Sequence, residues 1–148
     1  MHEPDAMGTG VRRYQDLVCW QLSYELHQRV VAFCANEPAK RDWKFCNQAK
    51  DASASAPRNI AEGFGRWTNG EFARFLDIAR GSLLETHNHL RDAYDRHYVE
   101  EPEFQALTML ANRAIGATTN FSRYLKTQRT KHPEPGTKHP EPRTKHLK

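Results

Sequence analysis

The chain has 148 residues, 38% of them hydrophobic and 27% charged, which fits one domain with a modest core and little apolar surplus. Its formal net charge of +4 is confined to the end: from Gln128 onward Arg129, Lys131, Lys138, Arg143, Lys145 and Lys148 stand against Glu134 and Glu141, while the first 127 residues hold 16 basic and 16 acidic side chains. No apolar run approaches the roughly 20 residues of a membrane-spanning helix, and Met1-His2-Glu3-Pro4-Asp5 lacks the regions of a signal peptide, so a cytoplasmic protein without a membrane segment is expected.

Residues 1–11 read as a flexible N-terminal segment and residues 12–127 as a single helical domain. From Tyr14 onward, Leu17, Trp20, Tyr24 and Val31 share a stripe at helical spacing, and Val18, Leu22, Val30 and Phe33 widen it to a face suited to a bundle interior. Asn36-Glu37-Pro38 ends this first helix. Asp42 is a fitting N-cap for the second, in which Phe45, Ala49, Ala52, Ala56, Ile60 and Phe64 keep the three-to-four spacing. Gly63, Gly65, Asn69 and Gly70 mark its end and the turn. Thr68-Asn69-Gly70-Glu71 has the pattern of a capping box and opens a third helix, with Phe72, Phe75, Leu76, Ala79, Leu83, Leu90 and Tyr94 as its buried stripe. Glu100-Glu101-Pro102 opens the fourth, which carries Phe104, Leu107, Leu110, Ala111, Ala114, Ile115, Thr118, Phe121 and Leu125 inward. No strand pattern competes. The fold class is therefore all-α, an antiparallel up-down-up-down four-helix bundle of helices about 20 to 25 residues and 30 to 35 Å long.

The second helix is poor in side-chain bulk at Ala49, Ala52, Ser53, Ala54, Ser55 and Ala56, immediately before Pro57, which predicts close packing and a bend. Asn59, Glu62 and Arg66 fall on one face of it. If the chain folds back near Thr68, Glu62 comes level with Arg74 and Asn59 with Asp77, with Arg80 one turn beyond, so a polar seam is expected between the second and third helices. Such a seam fixes register by charge pairing, or it uses Asn59, Arg66 and Arg80 to hold a phosphate or a carboxylate. Gly63 and Gly81 would let the backbones approach in either case.

Residues 128–148 form a near-repeat, Arg-Thr-Lys-His-Pro-Glu-Pro followed by Gly-Thr-Lys-His-Pro-Glu-Pro and Arg-Thr-Lys-His, with no apolar residue before Leu147. This tail is expected to be extended and disordered, either a basic arm for nucleic acid or an appendage without a role.

Catalytic chemistry finds no purchase in the sequence. No acidic residue has a histidine three positions later, as a diiron bundle requires, and His87 and His89 diverge by about 200° on a helix. Glu85 and His89 alone are too few ligands for a metal. The odd set Cys19, Cys34 and Cys46 contains no CxxC pair and reads as small core residues. Neither G-x-S-x-G nor a phosphate-binding glycine loop occurs. A non-enzymatic protein without cofactor or metal is expected.

The string Pro57-Arg58-Asn59-Ile60-Ala61-Glu62-Gly63-Phe64-Gly65-Arg66, followed by Glu71-Phe72-Ala73-Arg74-Phe75-Leu76-Asp77-Ile78-Ala79-Arg80-Gly81-Ser82, resembles the signature of the bacterial four-helix-bundle proteins encoded in intervening sequences of 23S rRNA genes. Tyr14-Gln15-Asp16-Leu17-Val18-Cys19-Trp20-Gln21 and Gln48 extend the resemblance over roughly residues 12 to 127. It implies a four-helix protomer in a ring-like homo-oligomer, often a pentamer, related to the accessory proteins of diversity-generating retroelements, which bind a reverse transcriptase and nucleic acid. The setting within rRNA genes suggests RNA as a partner, and a protein partner or a purely structural scaffold is the alternative. Where relatives commonly have two consecutive basic residues, this chain reads Lys50-Asp51. The basic residues Lys44, Lys50, Arg58 and Arg66 are the candidate contacts to nucleic acid or another partner, and Asn59, Glu62, Arg66, Arg74, Asp77 and Arg80 form the signature seam.

Overall fold

Leu17 and Asp42 set the starts of the first two helices. A short 3-10 turn, Tyr14–Asp16, runs into Leu17, whose extended backbone holds the chain out of helix until α1 begins (Val18–Cys34). The Asp42 carboxylate accepts the Phe45 N–H at 3.2 Å and so caps α2 (Trp43–Phe64), after a second 3-10 turn at Ala39–Arg41. Thr68 caps α3 (Asn69–Asp95) by accepting the Glu71 N–H at 3.1 Å, and Pro102 sits in the first turn of α4 (Glu101–Thr127), as their sequence signatures predict. The computed structural model describes residues 11–128, all helix and connection without a strand; most of the expected N-terminal segment and the repeat tail from Arg129 lie outside the described residues.

The helices are less uniform than expected, with 17 residues in α1 and 27 in each of α3 and α4. α2 continues through Pro57 as one helix. Each helix packs on its neighbours in chain order, and α1 also packs on α4, which closes a square. Contacting pairs move in opposite directions along the chain. Ser55 Oγ bonds Ser82 Oγ at 2.8 Å while Gly63 meets Phe75, and Asp77 meets Lys126 while Arg80 meets Thr119. These neighbours are antiparallel.

The interior is built from the predicted faces of α2, α3 and α4. Phe45, Ala49, Ala52, Ala56, Ile60 and Phe64 are all buried, as are Phe72, Leu76, Leu83, Leu90, Leu107, Phe121 and Leu125. Phe75 and Tyr94 are only half-buried. The face of α1 is the exception. Its core residues are Leu22, Leu26, Val30 and Phe33, whereas Tyr24 and Val31, placed inward by the sequence reading, are 41% and 40% exposed. Of the predicted stripe Leu17 is buried and Trp20 packs partly against the core, so α1 turns the side of Leu22, Leu26, Val30 and Phe33 inward and leaves that of Tyr24 and Val31 to solvent.

Cys19, Cys34 and Cys46 are buried free thiols. Burial, and then hydrogen bonding with Cys46, pushes Cys34 up to about 12, so it stays a protonated core residue at neutral pH. The end of the bundle that joins α3 to α4 is fastened by Asp42, which accepts from Arg96 at 2.9 Å and from the Tyr98 hydroxyl at 2.5 Å in addition to its capping bond. At the other end the Asn69 side chain donates to the Gln128 carbonyl at 3.1 Å.

Candidate functional site

The signature residues gather around the α2–α3 hairpin, but they do not make one ladder. Asn59 Nδ2 donates to the Ser55 carbonyl at 2.9 Å and to Ser55 Oγ at 3.0 Å, so its bonds are to its own helix. Glu62 pairs at 2.9 Å with Arg66, just past the end of α2, and so does not reach α3 through this bond. Arg66 and Arg74 both lie over the ring of Phe75, their guanidinium carbons 4.7 and 4.8 Å from its centroid. Asp77 and Arg80 turn the other way. Asp77 accepts from Ser122 at 2.7 Å and from Lys126 at 2.9 Å, and Arg80 Nε donates to Thr119 Oγ1 at 3.1 Å, all on α4. The expected single seam is thus corrected to two. The Cα of Asp77 comes from the right helix, but its side chain leaves on the flank that faces α4. Burial pushes the Asp77 carboxyl up, yet Ser122, Lys126 and Arg80 outweigh it and hold the group below its ordinary range.

The expectation for the glycines divides in the same way. A β-carbon on Gly63 would lie 2.7 Å from Phe75 Cβ and 2.8 Å from Phe72 Cδ1, so the two helices touch there because the residue is glycine. Around Gly81 nothing lies within 4 Å, and the close approach expected there is absent from the described residues.

Lys44, Lys50, Arg58 and Arg66 are not brought together. They spread from the first turn of α2 to just beyond its end, about 33 Å along a helix, and of the four Arg58 alone lines the groove between α1 and α2. Lys44 neighbours Trp43, which is 71% exposed.

Arg58 borders a feature two of whose rings, Trp20 and Tyr24, the sequence reading turned inward. Tyr14, Trp20 and Tyr24 form a continuous aromatic row on the outer side of α1: Tyr14 meets Trp20 edge-on at 5.5 Å, and Trp20 stacks on Tyr24 at 4.7 Å. With Ala54, Pro57 and Ala61 of α2 they line an open groove of about 450 Å³. The small residues before and after Pro57 make the floor, and Arg58 and Glu62 contribute to the lining. His27, beside the floor, shares a hydrogen bond with Ser53 Oγ at 2.9 Å; burial and then Arg58 lower its pKa, favouring the neutral ring. The aromatic spacing was visible in the sequence, but helical periodicity alone cannot say which of two apolar stripes meets solvent.

Residues 15–120 match the family profile of the 23S rRNA-intervening sequence protein. The chain belongs to this family. The matched span begins one residue after Tyr14 and takes in the rest of the aromatic groove's lining and the α2–α3 hairpin, while Ser122, Arg123 and Lys126 fall beyond it. No curated protein matches the chain. None of the described helices is long and apolar enough to cross a membrane.

Proposed function

We propose that the protein acts without catalysis, as a self-assembling four-helix protomer that holds a macromolecular partner, with RNA as that partner suggested by the name of its family. The observation that carries the assembly half is the aromatic groove on α1 and α2. Tyr14 and Trp20 pack partly against the core while Tyr24 is 41% exposed, so the row presents an apolar edge to the groove, and an apolar edge of this kind suits an interface. On the opposite side of the square, α3 and α4 expose Ile78, Leu84 and Met109. Apolar side chains exposed on two different sides of the protomer suit a head-to-tail contact between copies, which closes into a ring; a pentamer is the ring that the resemblance implies. Three buried free thiols suit the reducing cytoplasm as the place of action.

The test is a solution mass measurement on the purified protein, with and without nuclease, for the native chain and for Trp20→Glu combined with Tyr24→Glu. Assembly predicts a defined oligomer in the native protein and a folded monomer in the variant. A native monomer, or an oligomer indifferent to both substitutions, would overturn it. Copurifying RNA lost on nuclease treatment supports the RNA half, and an oligomer free of nucleic acid at every stage supports a purely structural scaffold instead.

A further inference from the structure

Near the C-terminal end of α4, Asp77, Arg80, Thr119, Ser122, Arg123 and Lys126 line an open groove of about 440 Å³ between α3 and α4. Three cations against one acid give it an excess of +2, within a bundle that is formally neutral through residue 127. The acid is already committed. Asp77 Oδ1 takes the Ser122 hydroxyl at 2.7 Å and Oδ2 the Lys126 ammonium at 2.9 Å.

The cations are not so fully engaged. Arg80 uses Nε on Thr119, which leaves the two terminal amines of its fork without a partner among the described residues. Arg123 uses one terminal amine on Asn120 Oδ1 at 3.1 Å. Lys126 keeps two of its three ammonium protons, and the Thr119 hydroxyl accepts from Arg80 while retaining its own proton to donate. The lining is therefore rich in unspent donors and has no unspent carboxylate oxygen facing a proton donor. Sequence composition extends the asymmetry, because Arg113, Arg123, Lys126, Arg129 and Lys131 follow Glu103 without an intervening acidic residue.

We propose that this groove binds an oxyanion of the phosphate class, with the Arg80 and Arg123 forks as charge-assisted donors, Lys126 as a point charge and Thr119 as a hydroxyl donor. Arginine is suited to the role because its planar fork matches two oxygens of a tetrahedral anion, and the Asp77 carboxylate sets the position of Lys126. The site deepens the partner half of the reading above and rests on that half where the anion is an RNA phosphodiester. It stands apart from the aromatic groove, on the far side of the square. Free phosphate and the RNA backbone are two sources of the same group.

The experiment uses the full-length protein in two titrations at low salt: inorganic phosphate followed by calorimetry, and a short single-stranded oligoribonucleotide followed by fluorescence anisotropy over a range of salt. Arg80→Gln and Arg123→Gln should each weaken phosphate binding by about fivefold or more. Each should also lower the salt dependence of RNA binding by about one unit of log–log slope if the backbone occupies the groove. Asp77→Asn should tighten phosphate binding by removing a like charge, an effect that general loosening of the fold would not produce. Phosphate binding that responds with an unchanged RNA slope identifies a free anion as the ligand, and the converse identifies the nucleic-acid backbone; both sustain the site. Binding of both probes at native strength by the two arginine variants, or no binding of either probe by the folded native protein, would overturn it. The two arginines have different hydrogen-bond partners, so if one variant fails to fold the other decides. The oligomer mass of the same samples separates failure of this site from failure of the assembly.

Discussion

Gly63 of α2 and Phe75 of α3 are so close that a β-carbon at residue 63 would lie 2.7 Å from Phe75 Cβ. The obstacle is a β-carbon fixed to the backbone, not the end of a flexible side chain, so relief requires the helices to part. Gly63→Ala is expected to destabilise the protein by about 1 to 3 kcal/mol, even though alanine favours helix over glycine by about 1 kcal/mol. Gly81→Ala is the control: with nothing within 4 Å, it should hold or raise stability. Urea midpoints of the two variants check the pair, and a Gly63→Ala protein as stable as the native one would show that the hairpin is looser than this.

Asp42 gives stability a pH dependence of definite sign. The Tyr98 hydroxyl first, then the Phe45 N–H and Arg96, hold its carboxyl below the ordinary range against a smaller opposing effect of burial. A depressed folded-state pKa contributes stability that is complete above the unfolded value, about 4, and is lost as pH falls through the folded one. The thermal midpoint should therefore drop as the solution is acidified below about pH 4. Asp42→Asn keeps a competent cap but no charge, so it should lower the midpoint at pH 7 and flatten the acid limb. An acid limb of native steepness in that variant would assign the dependence to other carboxylates, Asp77 first among them.

Much of this was legible in the sequence. The α2 face from Phe45 to Phe64, the Asp42 and Thr68 caps and the first-turn Pro102 are local patterns, and local patterns survive folding. What failed were statements about neighbours. Periodicity places Asp77 and Arg80 on α3 but cannot choose between α2 and α4 as the helix they meet. Trp20, Tyr24 and Val31 are spaced like a core stripe, and only the greater depth of the face of Leu22, Leu26, Val30 and Phe33 leaves Tyr24 and Val31 to solvent and Trp20 at the groove. The Asp42–Tyr98 bond joins residues 56 apart in sequence, which no pattern of spacing anticipates.

His97 marks a place where the usual sequence signal is missing. It has φ 64°, in the left-handed region, as the residue after the Arg96 C-cap of α3. Its N–H bonds the Tyr94 carbonyl at 3.0 Å and the Tyr98 N–H bonds that of Ala93 at 2.8 Å, the pair of bonds that closes a Schellman turn. Glycine is the residue favoured there, since a β-carbon is strained in this conformation. His97→Gly should raise stability by about 0.5 to 1 kcal/mol, and His97→Val should lower it. Equal losses in both variants would refute the left-handed turn.

The basic tail and the α3–α4 groove can be separated by removing residues 129–148, which takes away six cations and two acids. The chain that ends at Gln128 retains the Asn69 bond to the Gln128 carbonyl and the whole buried face of α4 through Leu125, so its thermal midpoint should match that of the full chain. Its oligomer should also persist, because the deleted stretch has no apolar residue except Leu147 with which to build an interface. Any RNA affinity supplied by the tail works by releasing counterions, so the log–log slope against salt should fall by several units on truncation. Phosphate affinity should change little, since Arg80, Thr119, Arg123 and Lys126 all remain. Loss of the oligomer in the shortened chain would move the assembly contact into the tail, and loss of phosphate binding would move the anion site there too.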